Sequence, residues 1–256
     1  MTASSILNVQ HLTKTYDTGA GKLTVLKDIS FGLPAGGTCS ILGPSGSGKT
    51  TLLGLCVFLP AIFAQTATPA PKKTILFLGD SLTAGLGVQP AEAFPALVAD
   101  KIRAAGLPFE VENAGLSGDT SAGGLRRVDW LLQRPVDVLF LELGANDGLR
   151  GQQLKSVKAN LQAIIDKTKA KNPQVKIVLA GMQVPPNLGA EYASGFQRLF
   201  TELAQENNAV LIPFLLEGVG GNREFNQQDL IHPSAAGHRI ISELVWRTLE
   251  PILRQP

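Results

Sequence analysis

From Thr74 to the C-terminus, short apolar runs alternate with segments whose apolar residues recur every three or four positions. The runs TILFL at Thr74–Leu78, DVLFLEL at Asp137–Leu143, VKIVLAG at Val175–Gly181 and AVLIP at Ala209–Pro213 read as strands buried on both faces. Phe109–Glu112 is a weaker strand signal. Leu154, Val157, Leu161 and Ile164 share one helix face. Phe196, Leu199, Phe200 and Leu203 repeat that spacing, as do Ile241, Leu244, Val245 and Leu249. Repeated strand–helix units with short connections predict right-handed crossovers and a parallel sheet between helix layers, an α/β fold. A site in such a fold lies beyond the carboxyl ends of the strands. The chain has no internal repeat.

The preceding residues have a different character. Ile6–Leu53 reads as strands and turns ending in a glycine-rich loop. Leu52–Ala64 is an uncharged apolar run, and Gln65–Lys73 (QTATPAPKK) is a Pro-rich linker. The expected organisation is therefore residues 1–53, a seam at 52–73, and a domain at 74–256.

Composition narrows the function classes. Hydrophobic residues make up 44% of the 256, enough to bury a core. A net charge of +2, with Lys and Arg scattered, gives no footprint for nucleic acid or lipid headgroups. The two cysteines, Cys39 and Cys56, both precede the predicted α/β domain, so that domain has no disulfide framework. They are expected to be small buried apolar residues. No Cys/His spacing suits a metal, and no cofactor is called for.

Four motifs fall where an α/β site is built. GDSL at Gly79–Leu82 follows the first strand, and NAGLSGDT at Asn113–Thr120 follows the second. GAND at Gly144–Asp147 follows the third, and DLIHP at Asp229–Pro233 precedes the last helix. Taken singly, each has a plain structural reading. Ser81 suits a helix cap, Asn146 a turn, and Asp229 with His232 a helix entry having Pro233 in its first turn. Asp80, Asp119 and Asp147 read as loop-bracing acceptors, and Glu142 as a buried or edge acid. His11 lies in the N-terminal segment, and His238 falls within the last helix.

Together and in this order, the four blocks resemble the SGNH (GDSL-type) hydrolase family, from about Lys72 to Arg254. The longer strings GDSLTAG, SGDTS and ELGANDGLRG are similar to its thioesterase I / lysophospholipase L1 / arylesterase subgroup. The resemblance implies a flavodoxin-like three-layer α/β/α fold and hydrolysis of a small acyl ester or thioester without cofactor or metal. It implies Ser81 as nucleophile, His232 as base and Asp229 as its orienting carboxylate. It also implies an oxyanion hole from the backbone N–H groups of Ser81 and Gly118 and the side chain of Asn146. Spacing alone does not separate Gly118 from Gly115. The apolar loop VPPNLG at Val184–Gly189 suits either an acyl groove or a rigid turn. Nothing in the sequence sets acyl length, ester against thioester preference, or oligomeric state.

A second motif belongs to other chemistry. GPSGSGKT at Gly43–Thr50 fits G-x-x-x-x-G-K-S/T, a loop whose backbone cradles phosphates, with Lys49 on the terminal phosphates and Thr50 on magnesium. Cys39–Leu42 is its candidate strand. With VQHLTKTY and LKDISF before it, the segment resembles the start of an ABC-transporter ATPase, with Tyr16 as the adenine-stacking aromatic. The resemblance stops near Leu55, and no later signature of that family follows. The expected state is a truncated relic, with a nucleotide-binding transporter-related protein as the alternative.

Leu52–Ala64 has the composition of a secretory signal core, with a small-residue cleavage site at Ala61–Gln65, but is short for a membrane span. Its internal position suggests a chimeric reading frame joined near Thr51–Leu55. The resemblance implies a periplasmic enzyme with no stable membrane anchor. The buried signal makes the cytoplasm the alternative for the intact chain.

Overall fold

The computed structural model describes residues 5–18, 21–34, 38–44, 46–58 and 72–255. The chain divides into two compact units, Met1–Thr68 and Pro69–Pro256. The end of the signal-like run and residues 65–71 of the linker lie outside the described residues, as does the Cys56 side chain.

In the first unit, β1 (Ser5–Thr18) and β2 (Gly21–Pro34) form a two-stranded antiparallel ribbon, and α1 (Lys49–Phe58) follows the glycine-rich loop. The strand expected at Cys39–Leu42 does not form. Residues 38–44 carry no regular structure, and Leu42 is 90% exposed. A strand without neighbours has nothing to pair its backbone groups, so water takes them. Cys39 is exposed rather than buried for the same reason. Tyr16 is also exposed.

The second unit is a five-stranded parallel sheet. Its strands are β3 (Lys73–Gly79), β4 (Phe109–Gly115), β5 (Val138–Glu142), β6 (Lys176–Ala180) and β7 (Val210–Ile212). They lie in the order β4-β3-β5-β6-β7, the flavodoxin-like arrangement expected. Ile75, Leu76, Phe77 and Leu78 of the inner strand β3 are fully buried, which explains its unbroken apolar run. β4 is an edge strand and leaves Glu110 exposed, which weakens its sequence signal. Phe77 stacks on Phe140 of β5 with ring centroids 4.6 Å apart.

One helix layer pairs α3 (Phe94–Ala104) with α8 (Ala235–Leu253). The other contains α4 (Ser121–Leu131), α6 (Leu154–Lys171) and α7 (Ala190–Asn207), with α6 packed on both others. The apolar spacing predicted α6, α7 and α8. It did not mark α3, which has Pro95 in its first turn, or α4, which carries Gly123 and Gly124. These glycines lower helix propensity but meet close neighbours. A Cβ on Gly123 would overlap the Asp119 carboxylate, and one on Gly124 would overlap Leu143.

His238, on α8, is buried and joins the two helices of its layer. Its Nδ1 accepts the Phe94 N–H at 3.2 Å, satisfying a first-turn donor of α3 that the Ala93 cap leaves without a side-chain partner. Burial pushes the imidazole down to about 4 from 6.5. The neutral ring thus contributes stability that is present above pH 6.5 and lost as pH falls towards 4. That gap is worth up to about 3 kcal/mol. His238→Gln should remove this dependence. In urea melts across that range, the parent should lose stability relative to the variant as pH falls; parallel profiles would contradict the assignment.

Candidate active site

β3 ends in Gly79, and the chain turns at once into α2 (Ser81–Ala84). Asp80 is the cap, its carboxylate accepting the Leu82 N–H at 3.0 Å. Ser81 is therefore the first residue of the helix rather than its cap. Its side chain reaches the loop before α8, where His232 Nε2 lies 2.9 Å from Ser81 Oγ. The other ring nitrogen, Nδ1, is 2.6 Å from Asp229 Oδ2.

The Asp229–Pro233 segment is a tight turn, not a helix entry. Asp229 Oδ1 accepts the N–H groups of Ile231 and His232, both at 3.0 Å. Leu230 is held at φ 60, a left-handed conformation that a side chain adopts at a cost. Pro233 lies outside α8 and bridges to Asn226, while Ser234 caps the helix. One carboxylate thus fixes both the backbone and the ring of His232. The hydrogen bond to His232 holds Asp229 down at about 2, so it stays ionised at neutral pH.

Gly118 and Asn146 follow β4 and β5, the two strands that flank β3. Gly118 has φ +79, which explains a glycine there, and a Cβ at that position would meet open space. Among the described residues, neither the Ser81 nor the Gly118 backbone N–H donates to a protein acceptor. Gly115 differs, because its N–H donates to Asn113 Oδ1 and its Cα is packed against Ala84. Asn146 is the second residue of α5 (Ala145–Leu149). Its amide donates to Asp80 Oδ2 at 3.1 Å and to the Asp119 carbonyl at 2.9 Å. Both hydrogens of this amide are thus engaged within the protein.

Buried acids brace these loops. Asp147 accepts from the Ser121 N–H at 2.8 Å and its hydroxyl at 2.7 Å. Glu142, at the end of β5, is fully buried. Its Oε2 accepts the Asp80 N–H at 3.1 Å and the Thr83 hydroxyl at 2.7 Å. Burial drives Glu142 well above the usual carboxylate range, and the Asp80 charge adds to the shift. Burial also raises Asp80, to about 6, against the pull of its Leu82 bond. Burial thus favours the protonated form of Glu142 more strongly than that of Asp80.

Among the supporting residues, Arg127 had no signal in the sequence, being one of two adjacent arginines. Thr83 and Ser121 lie inside the GDSLTAG and SGDTS strings, but their supporting roles appear only from their partners in space.

The site opens into a cleft of about 640 Å³ that contains Ser81, Asn146 and His232. Met182, Val184, Pro185, Phe214 and Leu216 give it a largely apolar wall, with Leu230 and Ile231 at the His232 side. The VPPNLG loop therefore supplies cleft wall through its first two residues. A cleft of this size, apolar with a few converging polar groups, is the usual form of a small-molecule site.

Burial favours the neutral form of Glu142, and Glu142→Gln preserves its shape and the acceptor that the Asp80 N–H and Thr83 use. It should change stability by less than about 1 kcal/mol, whereas Glu142→Ala should cost about 2–4 kcal/mol through a cavity and unpaired donors. Urea denaturation at pH 7 separates the two; equal losses would contradict this reading of Glu142.

Comparison with known proteins accounts for both parts of the chain. The profile of the ABC transporter family matches residues 26–76. The LolD ATP-binding protein of the lipoprotein-releasing system of Idiomarina loihiensis is 49% identical over 51 residues. That match spans only 20% of this chain and 22% of LolD. The GDSL-like lipase/acylhydrolase profile matches residues 77–240. Esterase TesA of Pseudomonas aeruginosa is 39% identical over 207 residues, covering 80% of this chain and 100% of TesA. Thioesterase 1/protease 1/lysophospholipase L1 of Escherichia coli is 36% identical over 198 residues, covering 76% and 93%. The crystal structure of TesA superposes with a TM-score of 0.67 at 40% identity, over 70% of this chain and 99% of that one. Esterase EstA from Pseudoalteromonas sp. gives 0.68 at 35% identity, over 72% and 100%. With four ordered blocks, a matching sheet order and these relatives, the chain belongs to the GDSL-like lipase/acylhydrolase (SGNH) family and is a hydrolase of carboxylic esters or thioesters.

Proposed function

We propose that Ser81 is the nucleophile of this hydrolysis, with His232 as base and Asp229 as its orienting carboxylate. The observation that carries the reading is the continuous chain from Ser81 Oγ through both ring nitrogens of His232 to Asp229, at 2.9 and 2.6 Å. Ser81 Oγ attacks the acyl carbonyl carbon and passes its proton to His232 Nε2. The ring returns that proton to the departing alcohol or thiol, leaving an acyl-enzyme. Water, deprotonated by the same nitrogen, releases the acid. Asp229 holds Nδ1 and stabilises the imidazolium.

The oxyanion donors in this reading are the N–H groups of Ser81 and Gly118 and the amide of Asn146. The apolar wall of the cleft takes the acyl chain, so the substrate is an apolar acyl ester or thioester. Hydrolysis of p-nitrophenyl butyrate should fall to background in Ser81→Ala. Asn146→Ala should lose ~10²–10³-fold in kcat. A Ser81→Ala protein as active as its parent would place the nucleophile elsewhere.

The N-terminal segment is, in this proposal, a truncated ATPase relic without a catalytic part. Lys49 Nζ donates to the Gly43 and Pro44 carbonyls at 2.7 and 2.6 Å, turned onto its own loop. Residues 38–44, leading into that loop, form no strand, and phosphate loops rely on a sheet and on later catalytic residues. A nucleotide held at 100 times its Kd would add about 2.7 kcal/mol of stability. Thermal melting with and without Mg-ATP should therefore coincide, and a clear upward shift would revive the nucleotide-binding reading.

A further inference from the structure

Arg127, on α4, makes three bonds that the proposed chemistry does not use. Its Nε donates to Asp119 Oδ2 at 2.7 Å, its Nη1 to the Ala114 carbonyl at 2.8 Å, and its Nη2 to the Gly79 carbonyl at 3.1 Å. The acceptors belong to three different pieces of the site. Gly79 ends β3, two residues before Ser81. Ala114 lies at the end of β4, which pairs with β3 up to Gly79 and Gly115. Asp119 directly follows Gly118, and its carbonyl accepts the Asn146 amide at 2.9 Å.

The arrangement leaves Asp119 little freedom. Its Oδ1 accepts the Thr120 N–H at 3.0 Å and lies where a Cβ on Gly123 would be. Its side chain is 7% exposed, and that of Arg127 is 22% exposed. A planar guanidinium serves three acceptors in fixed directions, which a lysine ammonium on a flexible stem does not reproduce.

We propose that Arg127 is a positioning residue for the oxyanion hole. It fixes the Gly118 N–H through Asp119 and aligns the Asn146 amide through the Asp119 carbonyl. The inference rests on the oxyanion donors proposed above. The oxyanion carries full charge only along the reaction, so loosening these donors lowers kcat and leaves KM nearly unchanged. A purely structural brace would instead lower the folded fraction, or alter kcat and KM without any link to Asn146.

The test is a double-mutant cycle of Arg127→Lys with Asn146→Ala in the full chain, assayed on p-nitrophenyl butyrate alongside thermal melting. Arg127→Lys keeps the charge and most of the stem, so it is the variant most apt to fold. Its kcat should fall ~10–100-fold, with KM within about 3-fold of the parent. The double variant should fall below Asn146→Ala by less than Arg127→Lys falls below the parent, since only the Gly118 part of the effect remains. Arg127→Ala, where it folds, should regain kcat saturably with added methylguanidinium, while the exposed neighbour Arg126→Ala should behave as the parent. Independent, multiplying losses in the double variant, or a raised KM with intact kcat, would overturn the inference. An impaired Asn146→Ala beside a silent Arg127→Lys would sink it alone. A silent Asn146→Ala would sink the oxyanion-hole reading, and this inference with it.

Discussion

At the carboxyl end of β3 there is no room for a Cβ on Gly79. The Glu142 carboxyl and the Thr83 hydroxyl already occupy that space. The contact sets where the strand stops and how sharply the chain turns into α2. Glu142 grips the turn on both sides of Ser81, through the Asp80 N–H before it and the Thr83 hydroxyl after it. A charged carboxylate would be costly at this depth, so burial pushes Glu142 towards its neutral form. Ser81, Asn146 and His232 are each described by where they lie relative to this turn.

The loops around the turn are held from several directions. Asp147 grips the start of α4, and Arg127 ties α4 back to the ends of β3 and β4. Asn113 adds a further tie, donating to the Thr83 carbonyl at 2.9 Å. Each such bond satisfies a buried polar group that would otherwise be left unpaired. The same bonds order side chains next to the cleft, which is the support a preorganised site needs.

Much of this was legible in the sequence because the strands that matter are inner strands. Burial on both faces leaves unbroken apolar runs in β3, β5 and β6, and the motif blocks sit directly at strand ends. The rest was hidden for physical reasons. α4 contains two glycines that lower helix propensity, and it is held by packing that only the fold supplies. Arg127 carries no local pattern, since its partners lie 8, 13 and 48 residues away. The expected strand at Cys39–Leu42 failed in the opposite sense. Its sequence suits a strand, but a strand needs partners, and the ribbon of β1 and β2 does not pair with it. The tight Asp229–Pro233 turn was also beyond reach, because the left-handed Leu230 is not a residue that advertises that conformation.

The two hydrogens of the Asn146 amide are both bonded within the protein, one of them to the Asp80 carboxylate. An amide in that position gives up a carboxylate only for an oxygen of comparable negative charge. A resting ester carbonyl does not qualify, whereas the alkoxide of a tetrahedral adduct does. In the proposed chemistry Asn146 would therefore add little to holding the substrate and would engage most strongly once the carbonyl has been attacked. A donor reserved in this way would make the proposed hole respond to electron density rather than to the shape of the acyl group.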